Sequence, residues 1–206
     1  MRRLGQRFAR LVTRLVVARP ALWRVLRRPL VAMFDSLAPQ WEESRVSPQH
    51  RLPLEAALAA VPDPPPARAL DIGTGTGVGA RTIAARFPDA AVVGVDASEP
   101  MILEARARAG SDRERYEVAD SAALPFDDSE FDLVTLLNMI PFFDEVARVT
   151  AHGGHAAIAF SRGAETPIFV PLDRVRAELE QRGFTHVANF SAGAGLALLA
   201  RRDGTA

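Results

Sequence analysis

The chain has 206 residues, which argues for one domain, or one domain with a short extension, and excludes a large multidomain assembly. Hydrophobic residues make up 48% and charged residues 24% of the chain, so neither disorder nor a polytopic membrane protein describes it well. The absence of Cys excludes disulfides, Cys-ligated metal centres and a thiol nucleophile. The 25 basic residues, all Arg, balance 25 acidic residues, and this neutrality gives no reason to expect a nucleic-acid partner.

The neutral total hides a basic segment. Residues 1–34 contain nine Arg and no acidic residue, so they carry +9 and the remainder carries −9. Apolar residues recur here at helical spacing beside a stripe of Arg, which predicts a basic amphipathic helix too interrupted to span a membrane. A second helix is predicted over 19–38, with a kink or a new turn at Pro29.

Two roles for residues 1–34 are open. The helices could cover apolar surface of the main domain or join two copies of the chain. Alternatively, their Arg residues could face an anionic membrane surface, which would place a cytoplasmic protein at the inner face of the membrane.

A stiff Pro-Asp-Pro-Pro-Pro run at 62–66 predicts a boundary between a helical lid segment, 1–61, and a second domain, 62–206. Beyond it, apolar strand patterns alternate with helical ones, which predicts an α/β, Rossmann-like, doubly wound sheet of seven mostly parallel strands. The last two strands are joined by too short a link for a parallel crossover, so they predict a C-terminal antiparallel hairpin. The predicted strands are 67–72, 91–95, 115–118, 131–137, 156–160, 185–190 and 196–199, and the predicted helices 79–86, 101–109, 144–149 and 172–182.

The first predicted strand runs into a Gly-rich turn, Asp71 to Gly77, with the pattern Asp-x-Gly-x-Gly-x-Gly. Glycines between a strand and a helix let a ligand approach the backbone closely. The spacing differs from the dinucleotide fingerprint because Val78 stands where the third glycine would be. A phosphate-binding P-loop is excluded because the chain has no Lys.

Three acids, Asp71, Asp96 and Asp120, follow successive predicted strands. Open α/β sheets bind ligands at these strand ends. Asp96 is placed to hold the ribose hydroxyls of a nucleoside, and Asp120 to accept a hydrogen bond from an adenine amino group. With the glycines, they predict a site for a nucleoside cofactor.

At these residues the chain resembles the class I S-adenosylmethionine-dependent methyltransferases, and among them the small quinone-biosynthesis-type enzymes, over about residues 34–200. Leu124-Pro125-Phe126, the run from Arg148 to Gly154 and the run from Phe34 to Trp41 also fit that family. The resemblance implies that the glycine turn cradles the methionine part of the cofactor, that Asp96 holds the ribose, and that Trp41 and Arg45 belong to a lid. The implied cofactor-binding residues are Asp71, Gly73, Thr74, Gly75, Gly77, Asp96, Ala97, Met101, Asp120, Ser121, Ala122, Asn138 and Met139.

The resemblance implies methyl transfer from S-adenosyl-L-methionine to a small, hydrophobic acceptor through oxygen, carbon or nitrogen, with S-adenosyl-L-homocysteine as product. Two alternatives are kept: an NAD(P)-dependent oxidoreductase on a Rossmann fold, and a non-catalytic cofactor-binding scaffold or regulatory protein. None of the four His residues lies in a recognisable base motif, so no catalytic residue is assigned. No metal is expected, because clustered ligand spacing is absent from the sequence.

Overall fold

The computed structural model describes residues 2–204 and begins with four helices. They are α1 (Arg2–Ala18), α2 (Trp23–Asp35), α3 (Trp41–Arg45) and α4 (Leu52–Ala59). The second predicted helix is shorter than expected because Pro20–Leu22 forms a separate 3-10 turn. Pro29 lies inside α2, which continues on both sides of it, so a new turn does not begin there.

The seven strands form one sheet in the order β3-β2-β1-β4-β5-β7-β6. The first five are parallel, whereas β7 is antiparallel to both β5 and β6, which confirms the predicted fold class. The fifth strand starts six residues earlier than expected, at Thr150, because a register shift lets Phe131 pair with that residue. The strands are β1 (Arg68–Ile72), β2 (Ala91–Asp96), β3 (Glu114–Val118), β4 (Phe131–Leu137), β5 (Thr150–Phe160), β6 (Phe184–Ala192) and β7 (Gly195–Arg202).

Helices cover both faces of the sheet. One apolar cluster joins the sheet to Val146 of α7 and Leu179 of α8, and the other joins it to Ile83 of α5 and Ile102 of α6. The serine before α6, Ser98, caps the helix by accepting a hydrogen bond from the Met101 amide, so α6 begins two residues earlier than predicted. The four helices are α5 (Val78–Arg86), α6 (Glu99–Ala107), α7 (Phe143–Val149) and α8 (Leu172–Glu180).

The first two helices pack on the main domain. Val12 and Val16 of α1 are buried with Trp23 and Leu30 of α2 against Ile140, which follows β4. The covering role expected for residues 1–34 is therefore observed, but one face of α1 stays open to solvent. Between residues 2 and 204, no helix combines the length and hydropathy needed to cross a membrane.

Helix α4 belongs to the same core as the sheet. Leu54 and Leu58 are fully buried beside Leu133 of β4 and Leu199 of β7. The domain boundary at 61/62 remains a prediction. Through α4, the end of segment 1–61 packs in the same core as the sheet of residues 62–206.

Candidate functional site

A cavity of about 430 Å³ lies at the C-terminal ends of the parallel strands, beneath α1, α2 and α3. Its floor includes the turn after β1 and the end of β4, which are neighbours in the sheet although two strands separate them in the chain. Such a reversal of strand order is the usual ligand site of an open α/β sheet. The volume lies within the range of small-molecule pockets.

The turn after β1 needs glycine at three positions. Gly73, Gly75 and Gly77 have φ angles of 71°, 54° and 88°, which are unfavourable for residues with a side chain. Asp96, at the end of β2, holds this turn: one carboxylate oxygen accepts from the Gly75 amide at 3.0 Å and the other from the Ser98 amide at 2.9 Å. Burial raises the pKa of Asp96, and these amide hydrogen bonds oppose the rise.

Asp71 is fully buried below the glycine turn. Its Oδ1 accepts a hydrogen bond from the Thr135 hydroxyl at 2.7 Å, but its Oδ2 has no hydrogen-bond partner within residues 2–204, and the same holds for Thr74 Oγ1. Burial raises the pKa of Asp71 to about 6; the hydrogen bond from Thr135 opposes the rise, as do the nearby Thr74 hydroxyl and Ala80 amide, which lie outside hydrogen-bond geometry. A Cβ atom on Gly79 would lie 2.5 Å from both carboxylate oxygens, so glycine is required beside them.

Both unpaired polar atoms belong to residues that line the cavity. Buried polar groups are normally hydrogen-bonded, so these two atoms have hydrogen-bonding capacity left for a polar ligand. This donor and acceptor set fits S-adenosylmethionine, which carries an amino group, a carboxylate and a ribose. Asp71, Thr74 and Asp96 would hold these groups.

The structure brings most of the predicted site residues to one cavity, while three lie elsewhere. Gly77 precedes α5, Asp120 faces α2, and Ala122 packs against the apolar cluster of α1 and α2. The predicted residues that line the cavity are Asp71, Gly73, Thr74, Gly75, Asp96, Ala97, Met101, Ser121, Asn138, Met139, Trp41 and Arg45.

Asp120 is held by α2. Its Oδ1 accepts a hydrogen bond from the indole N–H of Trp23 at 2.7 Å, and its Oδ2 forms an ion pair with Arg27. The carboxylate expected at the adenine edge therefore contacts protein donors in this structure. Its role toward adenine remains a prediction.

Two further carboxylates attach the segment from α2 to α3 to the glycine turn and α6. Asp35 accepts a hydrogen bond from the Ser98 hydroxyl at 2.5 Å. Glu42 accepts from the Thr76 hydroxyl at 2.9 Å and from Arg81 at 2.8 Å. The segment, residues 35–45, thus closes one side of the cavity. Sequence reasoning identified Trp41 and Arg45 here but missed both acids, whose partners are distant in the chain.

The predicted residue Asn138, where β4 ends, belongs to a polar cluster whose other members the sequence did not predict. Asn138 has a φ angle of 56°, an uncommon conformation that is often associated with function. Its Oδ1 accepts from the Ser161 amide at 2.8 Å, so its Nδ2 is the donor to Ser161 Oγ at 2.9 Å and to His50 Nε2 at 3.0 Å. His50 Nε2 is therefore an acceptor, which places the ring proton on Nδ1.

His50 is neutral in this environment. Burial lowers its pKa below the ordinary value; the charge of Glu42 opposes this effect and that of Arg162 adds to it. His50, Ser161 and Arg162 all line the cavity. No motif in the sequence identified them, because His50 lies in a short 3-10 turn 88 positions from Asn138.

Comparisons with known proteins agree with this geometry. Residues 69–154 match a family model described as a methyltransferase domain. The chain is 37% identical over 109 residues to demethylmenaquinone methyltransferase of Roseiflexus castenholzii, covering 50% of this chain and 46% of that protein. It is 36% identical over 155 residues to malonyl-[acyl-carrier protein] O-methyltransferase of Geobacter sulfurreducens, covering 61% and 58% respectively. The chain thus spans about half the length of the curated relatives it matches.

Among solved structures, a chain in the complex between the Haloferax volcanii Trm112 methyltransferase activator and its methyltransferase partner superposes with a TM-score of 0.70. The two chains are 21% identical, and the match covers 82% of this chain and 97% of the other. The family match over residues 69–154, together with the sheet order and the glycine turn, supports a class I S-adenosylmethionine-dependent methyltransferase domain. Within that class, the two named relatives act on different substrates, so they do not fix the acceptor.

Proposed function

We propose that this protein transfers the methyl group of S-adenosyl-L-methionine to a small, hydrophobic acceptor and releases S-adenosyl-L-homocysteine. The observation that carries the proposal is a single cavity that joins the glycine turn and Asp96 to an apolar space under α2. Leu30, Met33 and Phe34 of α2 line that space opposite Ile140.

When bound, the cofactor supplies a methyl group already activated by its sulfonium, so the protein must mainly position the acceptor. Asp96 holds the ribose end, and Asn138 stands at the opposite end with its amide fixed by Ser161. Residues 35–45 restrict the access of water to the space between them. His50 accepts a hydrogen bond from the Asn138 amide through Nε2, so it helps to orient this amide toward the cavity.

Isothermal titration calorimetry with S-adenosylmethionine, S-adenosylhomocysteine and NADH tests the proposal. We expect micromolar dissociation constants for S-adenosylmethionine and S-adenosylhomocysteine, and no detectable heat of binding with NADH. Preferential binding of NADH would instead support an oxidoreductase. If S-adenosylhomocysteine binds but no methyl transfer occurs across a panel of phenols, carboxylic acids and amines, a cofactor-binding scaffold is the better description.

We also propose that the solvent face of α1 and α2 binds an anionic membrane surface from the cytoplasmic side. Leu4 and Leu11 of α1 are 73% and 55% exposed, and Val25 of α2 is 73% exposed. The exposed Arg7 and Arg14 flank the leucines, and residues 1–34 contain no acid that could neutralise them. Apolar side chains beside cations fit a lipid headgroup region, where each cation contributes about 1 kcal/mol.

The membrane prediction is tested by co-sedimentation of the full chain with phosphatidylglycerol and phosphatidylcholine vesicles. We expect binding to the anionic vesicles only, with a loss of at least about tenfold at 0.5 M salt or in the double variant Leu4→Ser, Leu11→Ser. The matched control is Leu103→Ser, a leucine of α6 that is 58% exposed. Unchanged binding of the double variant would refute the proposal, and dimerisation that depends on Leu11 would assign the face to a second copy.

A further inference from the structure

The charged residues of the cavity lining are unevenly distributed. The carboxylates that line it are Asp71 and Asp96, and both lie at the cofactor end. The guanidinium groups that line it belong to Arg45 and Arg162. Arg45 packs over the ring of Trp41 at 5.7 Å, close to the segment attached to the glycine turn, whereas Arg162 follows β5.

Arg162 has no acidic partner. No carboxylate within residues 2–204 lies within 4.0 Å of its guanidinium, and the same holds for Arg45, whereas Arg27 and Arg81, which do not line the cavity, form ion pairs. The guanidinium donates one hydrogen bond, from Nη2 to the carbonyl of Glu165 at 3.2 Å. Arg162 is an exposed residue of the cavity lining, and an arginine carries five N–H donors, so most of them are available to an anion in the cavity.

The surroundings of Arg162 define what kind of anion would fit. Ile168 lies on the same loop, and Leu30, Met33 and Phe34 of α2 provide further apolar lining. His50 and Ser161 are neutral polar groups of the same cavity lining. An apolar wall beside an arginine that has no carboxylate partner fits a molecule with an apolar body and one anionic group.

We propose that the acceptor is an apolar acid whose anionic oxygens are bound by Arg162. This inference rests on the proposed methyltransferase function and narrows its substrate class. Binding of the acid would place the apolar body under α2 and direct the anionic end toward the loop after β5. Arg162 is then the residue that selects acids over neutral molecules of the same shape.

The probes are octanoate and octanamide, which differ in charge but hardly in size. Their binding to the full chain is measured by calorimetry, with and without saturating S-adenosylhomocysteine. We expect octanoate to bind at least about tenfold more tightly than octanamide. In Arg162→Gln this preference should disappear, while the affinities for octanamide and S-adenosylhomocysteine stay unchanged. The charge-matched control is Arg115→Gln, since Arg115 is exposed on β3 and does not line the cavity.

The inference would be overturned by equal binding of the two probes to the unmodified protein. It would also be overturned by a preference for octanoate that survives in Arg162→Gln, or by one that is lost in Arg45→Gln alone. A fall in S-adenosylhomocysteine affinity in Arg162→Gln without a change for octanoate would also overturn it, because the guanidinium would then serve the cofactor carboxylate. Failure of the methyltransferase proposal is seen separately, as absence of S-adenosylhomocysteine binding by the unmodified protein. The octanoate preference is still measured in the cofactor-free protein.

Discussion

Replacement of Asp96 by Asn is expected to weaken S-adenosylhomocysteine binding by roughly a hundredfold or more. The carboxylate stands at the end of β2 with both oxygens oriented by backbone amides, and each charge-assisted hydrogen bond to a ribose hydroxyl contributes about 1.5 to 3 kcal/mol. An amide side chain presents one acceptor instead of two, so it cannot retain both hydroxyls and both backbone donors. The dissociation constant measured by calorimetry is the readout.

The matched control for this variant is Asp89→Asn, because Asp89 is an exposed carboxylate outside the cavity. Thermal unfolding of the cofactor-free proteins shows whether Asp96→Asn remains folded, which matters because Asp96 also holds Gly75. A folded Asp96→Asn variant with undiminished affinity would contradict the assignment of the ribose to this carboxylate. The result does not depend on the identity of the acceptor.

The fold was predictable where structure follows from local pattern. Alternation of apolar strands with amphipathic helices predicts a parallel sheet, and the short link at Gly193 predicts the final hairpin; both are confirmed. Helix α4 was missed because it is only eight residues long and has apolar residues on both faces: Leu54 and Leu58 are buried, while Ala56 and Ala59 lie on the more exposed side. Such a segment cannot be distinguished from a short strand or loop by its hydrophobic pattern.

The cofactor end of the site was predictable for a related reason. Glycines and acids at strand ends are local signals, and the sheet topology brings them together. The other end depends on contacts between distant segments, such as Asn138 with His50 and Trp23 with Asp120, which are 88 and 97 positions apart. Nothing in the local sequence around Asp120 indicates that α2 would reach it.

The second large effect is expected from Asp71→Asn, which should stabilise the cofactor-free protein while impairing cofactor binding. Burial raises the pKa of Asp71 from 3.8 to about 6, which corresponds to a penalty of about 3 kcal/mol for the ionised form at neutral pH. Asn is neutral and retains an oxygen for the Thr135 hydroxyl. Its amino group can donate to the unpaired Thr74 hydroxyl, so we expect the free energy of unfolding at pH 7 to rise by about 2 to 3 kcal/mol.

The pH dependence distinguishes this cause from a general improvement in packing. Because the folded pKa of Asp71 lies above the unfolded value, its contribution to stability is complete below about pH 3.8 and is lost as pH rises through about 6. The advantage of Asp71→Asn should therefore be small near pH 4 and reach its full size by pH 7, measured by urea denaturation. A gain independent of pH, or none, would contradict a buried ionised carboxylate. Weaker S-adenosylhomocysteine binding in the same variant would show that the ionised Asp71 carboxylate, although it destabilises the cofactor-free protein, contributes a negative charge to cofactor binding.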